Sequence, residues 1–264
     1  MRWLVWAALG LLSACAPPPK PAPPPADAYV PDFARKPYEP FSRDAVVAIA
    51  LREWRLFGQP VNDDPPGTPR PPGPKPEREQ GLWQRVGEYW WLGLDAGREE
   101  ASWTGRHDAF GGEYPAGMDG EYAWSAAFIS YVMRIAGAGK QFPYSPSHWT
   151  YIDAALRAPS LYAAGRPEIA TPRPGDLICA GRARDRVLRF DDLPAGPYLS
   201  HCDIVVAAPP KDSTSGQLSV IGGNVDDAVT MKHVPVTMDG KLATADGLVL
   251  DTRYAWMVVL IARD

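Results

Sequence analysis

The sequence predicts an α+β fold in which helices pack on one face of an antiparallel β-sheet. Helical periodicity dominates the first part of the folded chain, and short β-branched runs separated by Gly, Pro, Asp and Ser follow after residue 170. Helices that come first, followed by strands that are neighbours in sequence, are typical of helices gathered on one side of an antiparallel sheet. The order of the elements therefore predicts the fold class.

The first 14 residues form an apolar segment that ends just before a cysteine. The apolar run from Trp3 to Leu12 is shorter than the ~20 residues that a membrane-spanning helix needs. Small residues followed by Cys15 resemble a bacterial lipoprotein signal, so we expect residues 1–14 to be removed and Cys15 to carry the lipid that holds the protein on a membrane. Ala16, in place of an aspartate, favours the periplasmic face of the outer membrane. The alternative is an ordinary secretory signal with an incidental cysteine.

A proline-rich tether, residues 15–41, precedes one folded domain, residues 42–264. Its ten prolines between Pro17 and Pro40 favour extended polyproline geometry. A second proline-rich stretch, 59–77, predicts an exposed loop inside the domain. The chain has 27 basic and 31 acidic residues, and loss of Arg2 with the signal leaves a net charge of −5 (26 − 31). This mild acidity gives no electrostatic footprint for nucleic-acid binding.

Four segments have the periodicity of helices. SRDAVVAIALREWRLFG follows a capping Ser42, and GLWQRVGEYWWLGLD has the same kind of apolar face. A central helix is expected from about Trp124 to Ala136, with an apolar stripe wide enough for the core, and a short one from Tyr151 to Leu156. The expected strands are DLICA, HCDIVVAA, LSVIGGNV, VTMKHVPV and AWMVVLIAR.

Two cysteines remain once Cys15 is lipidated. Cys179 and Cys202 lie in neighbouring predicted strands, in a chain expected to reach an oxidising compartment. They either form a disulfide or serve as two small buried hydrophobic residues, because the sequence does not give the distance between their Cα atoms.

Polar residues stand where an acyl-transfer site would need them. Ser125 begins the central helix, where free N–H groups and the helix dipole favour developing negative charge. His201 begins a strand and would supply the imidazole base that a serine requires. Asn224 ends the next strand and would hold the ring in the correct tautomer. Asp203 shares a strand face with His201 and is the second candidate for that role.

Each of these residues also has an ordinary structural explanation. Ser125 would be a first-turn serine, His201 a hydrogen-bonded histidine that opens a strand, and Asn224 a turn residue. Cys202 is a poor candidate nucleophile, because adjacent residues of a strand point to opposite faces and Cys202 would turn away from a groove that His201 faces.

Four motifs together resemble the landmarks of the papain-like NlpC and CHAP hydrolases of bacterial cell walls. These motifs are YAWSAAFIS, RPGDLICAGR, SHCDIVV and VIGGNV. With FPYSPSH added, they resemble more closely a bacterial family of unknown function, number 2272, over residues 42–260. The resemblance implies a papain-like fold with Ser125 as nucleophile, His201 as base, and Asn224 or Asp203 orienting the imidazole. In the peptidase families the nucleophile is cysteine, which is partly thiolate at neutral pH, whereas serine depends on its base.

We therefore expect a lipid-anchored hydrolase that acts on an amide or ester of peptidoglycan or a related envelope polymer. The alternative is a catalytically inactive papain-like module that binds an envelope glycan, peptide or protein. Trp124 and His148 are expected to line the substrate groove, although His148 would equally suit a helix cap. No cofactor is expected, and no metal site either, because the histidines are scattered along the chain: His107, His148, His201 and His233.

Overall fold

The helices of the domain come first along the chain, as the sequence predicts. The computed structural model describes residues 40–69, 73–95, 97–159, 161–210 and 216–263. Within them, the α-helices are α1 (Arg43–Leu56), α2 (Leu82–Gly93), α3 (Ser125–Ile135) and α4 (His148–Arg157). The predicted cap of α1 is present, because the Ser42 side chain accepts a hydrogen bond of 3.1 Å from the backbone N–H of Ala45.

Helix α4 begins earlier than the predicted start at Tyr151. Ser147 has an extended backbone (φ −132°, ψ 126°) and occupies the N-cap position. The N–H of Thr150 donates to the Ser147 carbonyl at 3.3 Å, which closes the first turn. His148 is therefore the first helical residue, and the expectation that it precedes the helix is wrong.

Six strands form one antiparallel sheet in the described part of the chain, in the order β1-β6-β2-β3-β4-β5. Five of them correspond to the predicted runs. β1, with the sequence YAAG, was not predicted, because it is a short edge strand with little β-branched content. The bounds are β1 (Tyr162–Gly165), β2 (Leu177–Gly181), β3 (Ser200–Ala207), β4 (Gly216–Val225), β5 (Ala228–Val236) and β6 (Trp256–Ala262).

The helices pack on one face of this sheet, which confirms the α+β prediction. Cys202 and Ile204 of β3 belong to the same buried cluster as residues of all four helices. Val205 points to the opposite face, where a second cluster includes Leu242 from the connection between β5 and β6. Cys179 of β2 lies directly opposite Cys202, and a disulfide joins them with their Cα atoms 4.1 Å apart. The disulfide therefore links two central strands on the helix side.

The sheet opens at the end where β3 begins. β3 pairs with β2 from Ser200 onward, whereas its pairing with β4 begins at Ile204, opposite Ile221. The register of β4 is irregular between Gly222 and Val225. The first residues of β3, which include His201, therefore lie beside a part of β4 with which they do not pair.

The second proline-rich stretch, 59–77, is less exposed than expected at its end. Glu77 is only 2% exposed, because its N–H donates to the carbonyl of Asp227 at 2.9 Å and its carboxyl group accepts a hydrogen bond from Trp124. Three predictions fall outside the described residues: the signal peptide, the lipid on Cys15 and the tether up to residue 39. No helix in the described part of the chain is long and apolar enough to cross a membrane.

Candidate functional site

Ser125 is the first residue of α3, and Trp124 is its N-cap. The helix forms here because the following residues are small or apolar and bury a broad face in the core. The first N–H groups of a helix have no partner within it, so the backbone around Ser125 presents hydrogen-bond donors. Ser125 itself is 3% exposed. The serine thus stands, almost buried, at the positive end of a helix dipole.

His148 is the side chain that contacts Ser125. Its Nε2 lies 2.8 Å from the Ser125 Oγ, and its Nδ1 is hydrogen-bonded to the hydroxyl of Tyr151, one turn further along α4. Reciprocal hydrogen bonds between Ser130 of α3 and the backbone of Ser145, both 3.1 Å, hold the segment before α4 against α3. The sequence predicted that His148 would bind substrate, and the structure places it as the direct partner of the candidate nucleophile.

His201 belongs to a second set of polar side chains, on β3 and β5. Its Nε2 lies 3.1 Å from Oδ1 of Asp203, and the other carboxylate oxygen accepts a hydrogen bond of 2.6 Å from Nζ of Lys232. Asp203 and Lys232 are both fully buried. The strand alternation places His201 and Asp203 on one face, as the sequence indicates, and Asp203 is the residue that holds the imidazole.

The two sets meet through their histidines. The rings of His148 and His201 have centroids 5.2 Å apart and planes tilted by 57°. The structure therefore brings four predicted site residues into one cluster: Ser125, His148, His201 and Asp203. Ser125 reaches this cluster through His148, and its hydrogen bond is to His148 and not to His201.

Burial keeps both imidazoles neutral. Burial, together with the nearby charges of His201 and Arg182, holds the pKa of His148 well below its usual range. Burial also lowers the pKa of His201, and the attraction of Asp203 only partly opposes this. Each ring therefore keeps one unprotonated nitrogen at neutral pH that can accept a hydrogen bond.

The carboxyl group of Asp203 is ionised in spite of its burial. Desolvation disfavours its charged form, but Lys232 and His201 together hold its pKa below the usual range. Tyr151 behaves in the opposite way, because burial and the charge of Asp203 raise its pKa well above the usual range and keep the phenol neutral.

Two glycines of β4 make room for this arrangement. A Cβ at Gly222 would overlap Oδ1 of Asp203 and lie 2.8 Å from Nε2 of His201. A Cβ at Gly223, on the other face of the strand, would lie 2.5 Å from the Phe128 side chain of α3. The IGGNV motif is therefore a place of close packing, where the strand approaches the polar cluster on one face and α3 on the other.

A cleft of about 1390 Å³ opens on the sheet face opposite the helices. His201, Lys232 and Asn224 are among its lining residues, and the backbone of Asn224 is left-handed (φ 53°). Ser125 and His148 lie behind His201 and are not among the lining residues. His201 is therefore the residue that both lines the cleft and contacts His148, the partner of the buried serine.

Trp124 does not line this cleft, which corrects the expectation that it binds substrate. It is 1% exposed, stacks on Phe57 with ring centroids 5.9 Å apart, and donates from its indole to Oε2 of Glu77 at 2.6 Å. Asn224 remains at the cleft, but the imidazole of His201 donates its hydrogen bond to Asp203. Trp124 is thus a core residue that fixes the start of α3.

Lys232 and Tyr151 were missed by sequence reasoning. Lys232 alternates with Val234 on the buried face of VTMKHVPV, and a lysine on a buried strand face signals a buried charged partner. Tyr151 was assigned only to the predicted short helix. Within the described residues, no three His, Cys, Asp or Glu side chains come together as metal ligands would.

Comparison with known proteins gives one match. The model of the family described as uncharacterized protein conserved in bacteria (DUF2272) matches residues 77–262, which include the whole polar cluster. No curated protein and no solved structure matches the chain. Because the family model covers well over half of the chain, this protein belongs to the bacterial domain-of-unknown-function family 2272.

Proposed function

We propose that the protein is a lipid-anchored cell-envelope hydrolase that uses Ser125 as its nucleophile. The observation that carries this proposal is the 2.8 Å contact between Ser125 Oγ and His148 Nε2 at the N-terminus of a core helix. A serine becomes an effective nucleophile when an imidazole can take its proton in this way. The proposal assigns the direct base to His148, whereas sequence reasoning assigned it to His201.

The chemistry follows from the hydrogen bonds. With a proton on Nδ1 donated to Tyr151, the Nε2 of His148 is free to accept the Ser125 proton as Oγ attacks the substrate carbonyl. The free N–H groups at the start of α3 would stabilise the resulting oxyanion. The protonated His148 then gives the proton to the departing amine or alcohol, and water releases the acyl group by the reverse sequence.

His201 would complete the site from the cleft side. Its Nε2–H donates to the ionised Asp203, which leaves Nδ1 as the proton acceptor of a residue that lines the cleft. In this position the imidazole can activate the hydrolytic water or relay a proton from the leaving group. Lys232 keeps Asp203 ionised and thus fixes the tautomer of His201.

The substrate class and location rest on the sequence motifs. The proposed substrate is an amide or ester of peptidoglycan or a related envelope polymer, as the resemblance to NlpC and CHAP hydrolases implies. The lipoprotein-like signal before Cys15 supports attachment to the periplasmic face of the outer membrane. The Cys179–Cys202 disulfide is consistent with an oxidising compartment.

A second candidate function is a binding module that has lost catalysis. Two observations favour it: serine stands where the resembled peptidases have cysteine, and Ser125 and His148 lie behind the wall of the cleft. In this case the cleft would hold an envelope glycan, peptide or protein without cleaving it. The buried polar cluster would then serve only to fix the shape of the cleft floor.

A serine-directed fluorophosphonate probe separates the two candidates. For a hydrolase we expect stoichiometric labelling at Ser125, lost in Ser125→Ala and reduced at least about 100-fold in rate in His148→Gln, since general bases contribute about that much. The matched control is His233→Gln, which removes a half-exposed histidine outside the cluster and should leave labelling unchanged. Absence of label in a protein that still sediments with purified peptidoglycan would favour the binding module.

A further inference from the structure

The wall of the cleft carries a group of arginines that the proposed mechanism does not use. The connection between β2 and β3 contributes three exposed arginines to the lining: Arg182, Arg186 and Arg189. We call these three residues the arginine rim. Among the described residues, none of the three forms an ion pair, whereas Arg184 of the same connection lies 3.8 Å from Asp185. The rim therefore presents three uncompensated positive charges in a protein of negative net charge.

The other positive charges of the cleft are already paired. Arg166 binds Asp191, Arg253 binds Asp251, and Lys232 binds Asp203. Among the remaining acids, Asp226 accepts a hydrogen bond from Asn62, and Asp246 accepts one from Thr244. The arginine rim is consequently the strongest uncompensated positive feature of the cleft.

Hydrogen bonds fix the backbone of the β2–β3 connection next to Arg182, the first residue of the arginine rim. The N–H of Arg182 donates to the carbonyl of Leu199 at 2.9 Å, and the N–H of Leu199 donates to the Asp185 carboxylate at 2.8 Å. A Cβ at Gly181 would overlap the carbonyl oxygen of Asp185, so the turn folds directly over the end of β2. The guanidinium groups therefore project from a fixed backbone, which reduces the entropy lost on binding.

The rim also lies within electrostatic reach of the polar cluster. The positive charge of Arg182 contributes to lowering the pKa of both His148 and His201. Because both residues line the cleft, a ligand held at Arg182 lies within electrostatic reach of His201.

We propose that the arginine rim binds the oxyanion groups, carboxylate or phosphate, of a ligand that carries several of them along its length. Guanidinium groups match such oxyanions with two parallel hydrogen bonds each. Three of them along one wall fit a multiply charged chain better than a single anion. Exposed Val187 lines the same wall and would contact the apolar parts of the chain. This site stands whether or not Ser125 reacts, so it applies to the hydrolase and to the binding module alike.

The test is calorimetric titration of the full chain at low salt with two probes, hexaglutamate and inorganic tripolyphosphate. We expect at least one probe to bind, and the triple variant Arg182→Gln, Arg186→Gln, Arg189→Gln to bind it about tenfold or more weakly, with an unchanged melting temperature. The matched control is Arg184→Gln, because Arg184 belongs to the same connection, is 81% exposed and does not line the cleft. Tighter binding of hexaglutamate would identify carboxylates as the recognised groups, and tighter binding of tripolyphosphate would identify phosphates.

Two results would overturn the proposal: no binding of either probe, or equal weakening in the triple variant and in Arg184→Gln. All titrations are made in a Ser125→Ala background as well as in the unmodified protein. Equal affinity in the two backgrounds would show that binding at the rim does not depend on Ser125. Failure of the rim and failure of the proposed chemistry can then be told apart.

Discussion

The buried Lys232 is the residue on which the charge state of the cluster depends. It is fully buried, its ammonium lies 2.6 Å from Asp203, and the Tyr254 ring lies 4.5 Å from the same nitrogen. Desolvation of such an ion pair costs several kcal/mol per ion, so it adds little net stability. Its effect is chemical: Asp203 stays ionised, and the Nε2 proton of His201 stays directed toward it.

The environment of Ser125 can be tested by replacing its hydroxyl with a thiol. In Ser125→Cys, His148 and the free N–H groups at the start of α3 would stabilise the thiolate, and we expect its pKa to fall below that of an ordinary thiol. We therefore predict that Cys at this position reacts with iodoacetamide at pH 6.5 about tenfold faster than glutathione does. Peptide-resolved mass spectrometry measures the rate at this position. Cys179 and Cys202 do not compete, because they are bonded to each other.

The second substitution in this series decides which histidine acts. Ser125→Cys with His148→Gln should lose the acceleration, and Ser125→Cys with His201→Gln should lose it in part. Ser125→Cys with His233→Gln serves as the control and should keep it. Alkylation that occurs only after denaturation, or at the glutathione rate in every variant, would make Ser125 a structural serine.

Strand β4 determines how closely the cluster can pack. A Cβ at Gly222 would overlap the Asp203 carboxylate, so Gly222→Ala must displace Asp203, His201 or the strand. We predict a loss of about 1–3 kcal/mol in the free energy of unfolding, the usual range for overpacking, together with a shift of the His201 imidazole NMR resonances. The measurement is urea unfolding combined with NMR.

The control for this prediction is Gly120→Ala. Nothing lies within 4 Å of a Cβ at Gly120, so that variant should retain the unfolding free energy and the spectrum of the unmodified protein. Equal behaviour of the two variants would mean that the polar cluster tolerates a methyl group at Gly222 and is less tightly packed than the structure indicates.

Most elements could be predicted because their patterns are local. The alternation in SHCDIVV placed His201 and Asp203 on one face, and Ser42 marked the start of α1. The contact between Ser125 and His148 was not predictable in the same way. It joins the starts of α3 and α4 and depends on how the segment around Ser145 folds back on α3, which no periodicity encodes. For the same reason the sequence pattern predicted the strands of the site better than the histidine that contacts Ser125.

The polar cluster lies where the two sides of the molecule meet. The helix side supplies Ser125 and His148, and the cleft side supplies His201, Asp203 and Lys232. A regular sheet would separate these two sets. They meet because β3 and β4 are not paired before Ile204, so that the sheet is open at this end. The opening thus lets the buried Ser125–His148 pair on the helix side and the cleft on the other side share one polar cluster.

The start of α3 is also tied to a buried carboxyl group on the helix side. Glu77 is 2% exposed, accepts the indole N–H of Trp124 at 2.6 Å, and has no hydrogen-bond partner for Oε1 among the described residues. Burial, together with the charges of Asp227 and Asp119, raises the pKa of Glu77 to about 7. The folded protein consequently holds a proton here at a pH at which the unfolded chain has lost it.

This retained proton makes the stability of the whole domain depend on pH. Below pH 4.5, the ordinary value for Glu, the carboxyl is protonated in both states. Between that value and about 7 the unfolded chain releases the proton and the folded protein keeps it, so the contribution of Glu77 to stability falls as pH rises. The lowered pKa values of His148 and His201 act in the opposite direction. Their contribution to the free energy of unfolding falls as pH drops below the ordinary histidine value. The pH profile of the unmodified protein therefore contains opposing contributions.

Comparison with Glu77→Gln isolates the contribution of Glu77, because the histidines are common to both proteins. Gln resembles a protonated Glu and can still accept the indole N–H of Trp124. We predict that the variant gains about 3 kcal/mol in the free energy of unfolding relative to the unmodified protein as pH rises from 4.5 to 8, the equivalent of the raised pKa. Urea unfolding over this range measures the difference, and Glu79→Gln, an exposed carboxyl two residues away, should give a constant difference. Parallel profiles for Glu77→Gln and the unmodified protein would show that Glu77 ionises in the folded state as readily as in the unfolded chain, and that the start of α3 tolerates its charge.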